Sequence, residues 1–166
     1  MTMTLRNDRL ELRPYVPEDE NGFVTLLSDP DVTRWMGMPP GDVADVFRRA
    51  FLAEHRPTWD IWAIWEDGAY IGHAELKPSP HPLVDGHELV YALTPSVWGR
   101  GLGTAVTELI TAHGLGDGCL TAVHATVAPE NAASLKLLRR LGYVDRGEIV
   151  DPEDGEVSLL LTRKRG

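Results

Sequence analysis

The most constraining feature of the sequence is a run of alternate glycines between a strand-like segment and a helix-like one. Residues typical of strands occupy His87–Leu93, and Thr94-Pro95-Ser96 ends the segment because proline has no N–H for a sheet. Next come three alternate glycines: Gly99, Gly101 and Gly103. Apolar residues then recur at helical spacing: Leu102, Val106, Leu109 and Ile110. The sequence therefore predicts a strand, a glycine turn and a helix in this order.

This arrangement is suited to binding a phosphate. The first turn of a helix has backbone N–H groups without intrahelical partners, and the helix dipole places partial positive charge there. Glycines let a ligand approach those groups, and Arg100 adds a full positive charge. No lysine follows Gly103, which excludes a Walker loop, and Thr104 or Val106 stands where the dinucleotide fingerprint requires glycine. We expect a pyrophosphate site here; the alternative is a glycine-rich loop that only makes a tight turn.

Length and composition predict one domain over residues 1–166. The net charge of −9 argues against general nucleic-acid binding, although it suits a cationic partner such as an amine. The single cysteine, Cys119, cannot form an internal disulfide, and the polar start is unlike a signal peptide. No apolar run approaches membrane-spanning length, and the six histidines lack metal-ligand spacing. We therefore expect a cytoplasmic protein without a metal and without nucleic-acid or membrane partners.

Periodicity along the chain predicts an alternation of strands and helices. Strands are predicted at residues 9–15, 59–65, 70–77, 87–93, 121–127, 143–150 and 157–162. Helices are predicted to begin near Pro17, Gly41, Leu102 and Asn131. Asp67-Gly68 is the strongest hairpin signal, and Gly142 is a candidate for the glycine that follows a helix end. The predicted order is strand, helices, three strands, helix, strand, helix and two strands.

Two motifs in this order resemble the GNAT superfamily of N-acyltransferases. The family's acetyl-CoA signature, Q/R-x-x-G-x-G/A, is matched from Trp98, and the RimJ/RimL-like branch uses a Trp-Gly-basic-Gly variant. The segment VAPENAASLKLLRRLGY at residues 127–143 is similar to the family's N-x-x-S…GF/Y segment. The resemblance covers residues 9–163. It implies the α/β (α+β) GNAT fold: a mixed, mostly antiparallel sheet of six to seven strands, with helices on both faces and a splayed parallel pair that admits the pantetheine arm.

The resemblance also implies an enzyme that transfers an acetyl group from acetyl-CoA to a primary amine by direct attack in a ternary complex. The residues that it assigns to CoA binding are Leu93, Trp98, Gly99, Arg100, Gly101, Leu102, Gly103, Thr104 and Asn131. Asn131 alone is equally typical of an ordinary helix N-cap. Trp35 falls where related enzymes shape the acceptor pocket, although it can as well fill the core. The acceptor, a small amine or a protein N-terminus, is expected to be selected by residues 28–57 and the last hairpin.

The chemistry requires a base for the amine, a donor for the oxyanion and a donor for the departing thiolate. Glu88 is the candidate base, because histone-acetyltransferase relatives carry a basic glutamate at this point of the strand. His87, His73 and Glu153 are alternatives. A backbone N–H near Leu93 is the candidate oxyanion donor.

Ser134 is the candidate donor to the thiolate. Many family members have a tyrosine seven residues after the motif asparagine, but this chain has Leu138 there. That departure favours the RimJ/RimL-like subset, in which a serine at the position of Ser134 approaches the sulfur. A second hypothesis is a CoA-binding regulatory or scaffold module without turnover. A homodimer is compatible with either hypothesis.

Overall fold

The structure, a computed structural model, describes residues 2–36, 41–52 and 58–166. Its strands are β1 (Leu5–Arg6), β2 (Leu10–Arg13), β3 (Asp60–Glu66), β4 (Ala69–Pro78), β5 (His87–Leu93), β6 (Ala122–Val127), β7 (Val144–Val150) and β8 (Val157–Lys164). Its helices are α1 (Glu20–Leu27), α2 (Pro30–Thr33), α3 (Val43–Val46), α4 (Leu102–Leu115) and α5 (Ala132–Arg140). A π-helical stretch, Phe47–Leu52, follows α3.

The strands form one sheet in the order β1-β2-β3-β4-β5-β6-β8-β7. The β5–β6 pair is parallel, whereas β1–β2, β2–β3, β6–β8 and β7–β8 are antiparallel. The predicted mixed α/β sheet is therefore confirmed. Within the residues that the structure describes it has eight strands, more than the six to seven expected, because the two-residue strand β1 pairs with β2 through Leu5 and Leu12.

Local sequence signals account for where several helices begin and end. The Asp42 carboxylate accepts hydrogen bonds from the N–H groups of Ala44 and Asp45, at 2.9 and 3.3 Å, and so starts α3. The side-chain oxygen of Asn131 accepts from the N–H of Ser134 and caps α5. Gly142 follows the end of α5 with φ +86°, a conformation that favours glycine.

The chain divides into two compact units. The first comprises Met1–Glu75 and Tyr91–Leu102. Its core is an apolar cluster of buried side chains from α1, α2, α3, the π-helical stretch and β5: Phe23, Leu26, Leu27, Val32, Val46, Phe47 and Ala92. Tyr15 packs its ring edge-on against Phe23 and Phe47, with ring centroids 5.8 and 5.4 Å apart. These aromatic contacts pack Tyr15, which lies between β2 and α1, against α1 and the π-helical stretch.

The second unit comprises Leu76–Val90 and Gly103–Gly166. Buried apolar side chains from α4, α5, β6 and β8 form its interior: Val106, Ile110, Val123, Ala125, Leu135, Leu138 and Leu161. The hydroxyls of Thr111 and Tyr143 lie 2.6 Å apart, and burial raises the pKa of Tyr143 to about 12. Within the described residues, no helix has both the length and the apolar character needed to cross a membrane.

Helix α4 contains two buried threonines, and replacing them by valine is expected to change the free energy of unfolding in opposite directions. Thr107 is fully buried, and its hydroxyl has no hydrogen-bond partner in the described part of the chain. Thr107→Val keeps the shape and removes an unsatisfied polar group, so we expect the free energy of unfolding to rise by about 1 kcal/mol. Thr111→Val is the matched control: it leaves the buried Tyr143 hydroxyl without its partner and should lower stability by about 1–2 kcal/mol. Urea denaturation measures both, and a loss of stability in Thr107→Val would contradict the prediction.

Candidate active site

The glycine turn follows β5 directly and is closed by two hydrogen bonds. The N–H of Thr94 donates to the carbonyl of Ile71 at 2.8 Å, and the indole N–H of Trp98 donates to the carbonyl of Leu93 at 2.8 Å. Trp98 itself is half exposed, so its ring is available at the surface of the turn. These two hydrogen bonds therefore hold the end of β5 and the start of the turn in place.

The glycines of the turn are required by its backbone and leave it accessible. Gly99 and Gly101 have φ values of +77° and +76°, which residues with a Cβ rarely adopt. A Cβ built at either position would meet no atom of the described chain within 4 Å. The space in front of this backbone is open, and α4 begins at the next residue, Leu102. The turn therefore has the form expected of a phosphate cradle.

The side chain of Arg100 is engaged within its own unit. Its guanidinium donates two hydrogen bonds to the carboxylate of Glu66 on β3, at 2.8 and 2.9 Å. This pairing raises the pKa of Arg100 and lowers that of Glu66. Arg100 was expected to add a full positive charge to the phosphate site. In the structure the carboxylate of Glu66 balances that charge.

The parallel pair separates directly after Glu88. The paired residues of β5 and β6 are His87 with Val123 and Glu88 with His124. The last three residues of β6, Ala125 to Val127, pair with β8 on the other side. In the described structure the parallel ladder is thus two residue pairs long, and Glu88 lies at the point where it ends.

The carboxylate of Glu88 is held at this point by two hydroxyl groups. Only 4% of Glu88 is exposed. Its Oε2 accepts from the Ser79 hydroxyl at 3.1 Å and, in a longer contact of 3.4 Å, from the Thr126 hydroxyl on β6. A buried carboxylate requires such donors. Glu88 therefore reaches from β5 across to β6 where the two strands part.

His124 is a residue of this site that the sequence analysis missed. It is the direct neighbour of Glu88 in the parallel pair, and its Nδ1 lies 2.7 Å from the hydroxyl of Thr162 on β8. His124 and Thr126 are half-buried, whereas Val123, Ala125 and Val127 are buried, so the polar residues share one face of β6. The alternation of polar and apolar residues in the segment TAVHATV was the signal that could have identified them.

His73 lies in an internal polar network of the first unit. Its Nδ1 is 2.8 Å from the Tyr15 hydroxyl, and its Nε2 is 2.9 Å from the Glu75 carboxylate, which also accepts from Trp59. The Tyr15 hydroxyl in turn contacts that of Tyr70 at 2.8 Å, and burial raises the pKa of both tyrosines. Both ring nitrogens of His73 are thus engaged and its exposure is 1%, which favours a structural role.

The remaining candidate bases differ in their surroundings. His87 is half-buried at the start of β5, opposite Val123. Glu153 is exposed in the turn that follows β7, where its own N–H donates to Asp151 at 2.8 Å. Neither of these is placed at the separation of the parallel strands as Glu88 is.

The similarity of the chain to known proteins agrees with this geometry. The family model described as "Acetyltransferase (GNAT) domain" matches residues 9–144. The chain belongs to the GNAT acetyltransferase family. It is therefore an acyltransferase enzyme of a fold that uses acetyl-CoA.

Individual relatives of this acetyltransferase show how far the similarity extends. The uncharacterized N-acetyltransferase p20 of Bacillus licheniformis is 26% identical, over 95% of this chain and 91% of its own. The ribosomal-protein-S5-alanine acetyltransferase of Vibrio fischeri superposes with a TM-score of 0.82 at 14% identity, covering 98% and 97% of the two chains. The ribosomal L7/L12 α-N-protein acetyltransferase RimL, solved in complex with coenzyme A, gives a TM-score of 0.81 at 16% identity, covering 98% of each chain. At these identities the solved structures establish the fold.

Two further candidate residues of the acetyltransferase lie in α5 and in the turn after α2. Ser134 is half-buried in the first turn of α5, where its N–H donates to Asn131 at 3.3 Å. Asn131 is therefore the N-cap residue of α5, the alternative role that its position in the sequence indicates. Trp35 is 40% exposed, and the guanidinium of Arg34 lies 4.6 Å from the centre of its ring. Residues 37–40 and 53–57 of the expected acceptor segment lie outside the described residues.

The polar groups found around the candidate residues are hydroxyls, a carboxylate and backbone N–H groups. In the part of the chain that the structure describes, there is no cluster of three or more His, Cys, Asp or Glu residues suited to a metal ion. What the described residues provide is a buried carboxylate at a strand separation and an open glycine turn at a helix start.

Proposed function

We propose that this chain is an acetyl-CoA-dependent N-acetyltransferase of the RimJ/RimL-like branch, which acts as a single domain over residues 1–166. The observation that carries the proposal is the carboxylate of Glu88, held where β5 and β6 separate. The family match over residues 9–144 draws on both compact units and supports a single domain. We place the protein in the cytoplasm, in line with its single cysteine.

The proposed CoA site is the glycine turn and the start of α4. Backbone N–H groups from Arg100 to Thr104 would bind the pyrophosphate, and Gly99 and Gly101 leave that backbone open. Leu93 and Trp98 would line the approach, because the indole is anchored to the strand end and half exposed. The side-chain amide of Asn131 would contact the pantetheine arm through its N–H₂ group, since its oxygen is used as the helix cap.

In the proposed mechanism Glu88 accepts a proton from the acceptor's ammonium group, directly or through one water molecule. The neutral amine then attacks the thioester carbonyl carbon, and the backbone N–H near Leu93 donates to the oxygen that gains negative charge. The C–S bond breaks, and the Ser134 hydroxyl donates a hydrogen bond to the departing thiolate. No covalent intermediate with the protein forms on this route, so both substrates must be bound together.

The proposed acceptor is a primary amine, and a protein N-terminus is the first class to test. Two similar solved structures are named as ribosomal-protein acetyltransferases. An acidic chain with a net charge of −9 also attracts cationic amines. Trp35, exposed and stacked with Arg34, would contribute to the acceptor side of the site.

The proposed function is tested by measuring release of free CoA from acetyl-CoA across a panel of amines. The panel should contain peptides with free N-termini, amino acids, polyamines and aminoglycosides. Acceptor-dependent CoA release supports the enzyme. Tight CoA binding in calorimetry with no release for any acceptor would instead support the scaffold hypothesis.

Ser134→Ala is expected to lower kcat by roughly tenfold while leaving acetyl-CoA affinity nearly unchanged. The physical reason is that a donor to the leaving group acts mainly in the transition state. Steady-state kinetics with a saturating acceptor measure kcat, and calorimetry measures the affinity. Ala133→Ser in the same turn is a control for a changed helix surface. A wild-type kcat would leave Ser134 as an ordinary helix residue.

A further inference from the structure

Two hydroxyl groups converge on one oxygen of the Glu88 carboxylate. Ser79, in the loop after β4, and Thr126, on β6, both contact Oε2, at 3.1 and 3.4 Å. Oε1 accepts no hydrogen bond from the residues that the structure describes. An ionised carboxylate only accepts hydrogen bonds, so each hydroxyl must act as the donor. The two oxygens of Glu88 are therefore in different environments.

Each hydroxyl is itself held in place by the surrounding backbone. The Ser79 oxygen accepts from the N–H of His81 at 3.3 Å, which leaves its O–H to point elsewhere. The N–H of Ser79 donates to the carbonyl of Gly86 at 2.9 Å and closes the loop between β4 and β5. Thr126 lies in the β6–β8 ladder, opposite Leu160. The backbone that carries each donor is therefore held by hydrogen bonds of its own.

We propose that Thr126 and Ser79 are positioning residues that hold Oε2 of Glu88, so that Oε1 is the oxygen that receives the acceptor's proton. The inference rests on the proposed role of Glu88 as the base. Ser79 makes the shorter contact, and Thr126 belongs to β6 and ties the carboxylate to the strand from which β5 separates. A carboxylate fixed by donors needs little reorganisation when the proton is transferred.

A purely structural role would have a different signature. Hydroxyls that only satisfy a buried charge would change the free energy of unfolding and leave turnover unaffected. Positioning residues act through Glu88, so their effect must disappear when the carboxylate is gone. A double-mutant cycle separates the two roles.

The experiment compares Thr126→Val, which keeps the shape, with Thr126→Ser, which keeps the hydroxyl. Thr126→Val should lower kcat about tenfold with the KM for acetyl-CoA unchanged, and Thr126→Ser should retain most of the wild-type kcat. Ser79→Ala should give a loss of kcat in the same direction. Ser158→Ala, which removes a β8 hydroxyl that has no hydrogen bond to Glu88, is the control for hydroxyl loss. Thermal denaturation of every variant separates loss of folding from loss of rate.

The cycle is completed in the Glu88→Gln background, where Thr126→Val should cost little or no further rate. Equal losses in both backgrounds, or a wild-type kcat in Thr126→Val, would overturn the positioning role while leaving Glu88 as the base. A wild-type rate in Glu88→Gln alone would instead overturn the proposed base, and the positioning role with it. The two failures are therefore distinguishable from the same set of proteins.

Discussion

Glu88→Gln is expected to lower kcat at neutral pH by roughly 10²–10⁴-fold, the usual range for loss of general base catalysis. The substitution keeps the shape of the side chain and its contacts to Ser79 and Thr126 while removing the basic oxygen. Raising the pH should restore part of the rate, because solvent then supplies more of the neutral amine. The measurement is a pH–rate profile with an acceptor that the wild-type enzyme uses.

Glu148→Gln is the matched control, because Glu148 is an exposed carboxylate on β7. It should leave the profile unchanged. If Glu88 only attracts a cationic acceptor, Glu88→Gln would raise the acceptor's KM and leave kcat at saturation intact. A profile like that of the wild type would remove Glu88 from the mechanism. His124, the neighbour of Glu88 on β6, and His87 would then be the next bases to test.

Gly101→Val is expected to reduce CoA binding at least 100-fold, close to complete loss. A Cβ at this position enters space with no described atom within 4 Å, and we place the pyrophosphate in this space, against the backbone N–H groups. Arg100→Ala should weaken binding only about two- to fivefold, since Glu66 already balances that charge. Isothermal titration with CoA measures both affinities. Similar mild losses for both variants would argue against the backbone cradle.

Backbone strain is the competing cause of a loss in Gly101→Val, and Gly68 provides the control. Gly68 lies in the hairpin between β3 and β4 with φ +77°, against +76° for Gly101, and a Cβ there also meets nothing within 4 Å. Gly68→Val should therefore lower stability by a similar amount and leave CoA affinity unchanged. Loss of CoA binding in Gly68→Val would assign the effect to general destabilisation.

Several tertiary features decide the function without leaving a signal in local sequence. Arg100 looked like a phosphate ligand because its neighbours in sequence are glycines, but its partner is Glu66, 34 residues away in the chain. His73 looked like a candidate base, but Tyr15 and Glu75 occupy both its ring nitrogens. Glu66 and Tyr15 lie 34 and 58 residues from the groups that they bond, so no short window of sequence contains these pairs.

The sequence by itself determined the structural elements that depend on residues close to one another in the chain. Asp42 and Asn131 cap helices because their side chains reach N–H groups two or three residues ahead. The glycine turn could be predicted because a left-handed backbone requires glycine wherever it occurs. The family motifs lie in these same local segments. The strand order, the eighth strand and the parallel pair depend instead on which segments meet in the sheet.

Only the tertiary structure decided which groups surround Glu88. Ser79 lies nine residues before it and Thr126 thirty-eight residues after it, and the carboxylate lies between them because β5 pairs with β6 over only two residue pairs. The same pairing places His124 beside Glu88, and no local sequence pattern indicates that these two residues are neighbours. A buried carboxylate is stable only with donors around it, and the sheet register supplies those donors. Local propensities define the strands, but their register determines which side chains form the site.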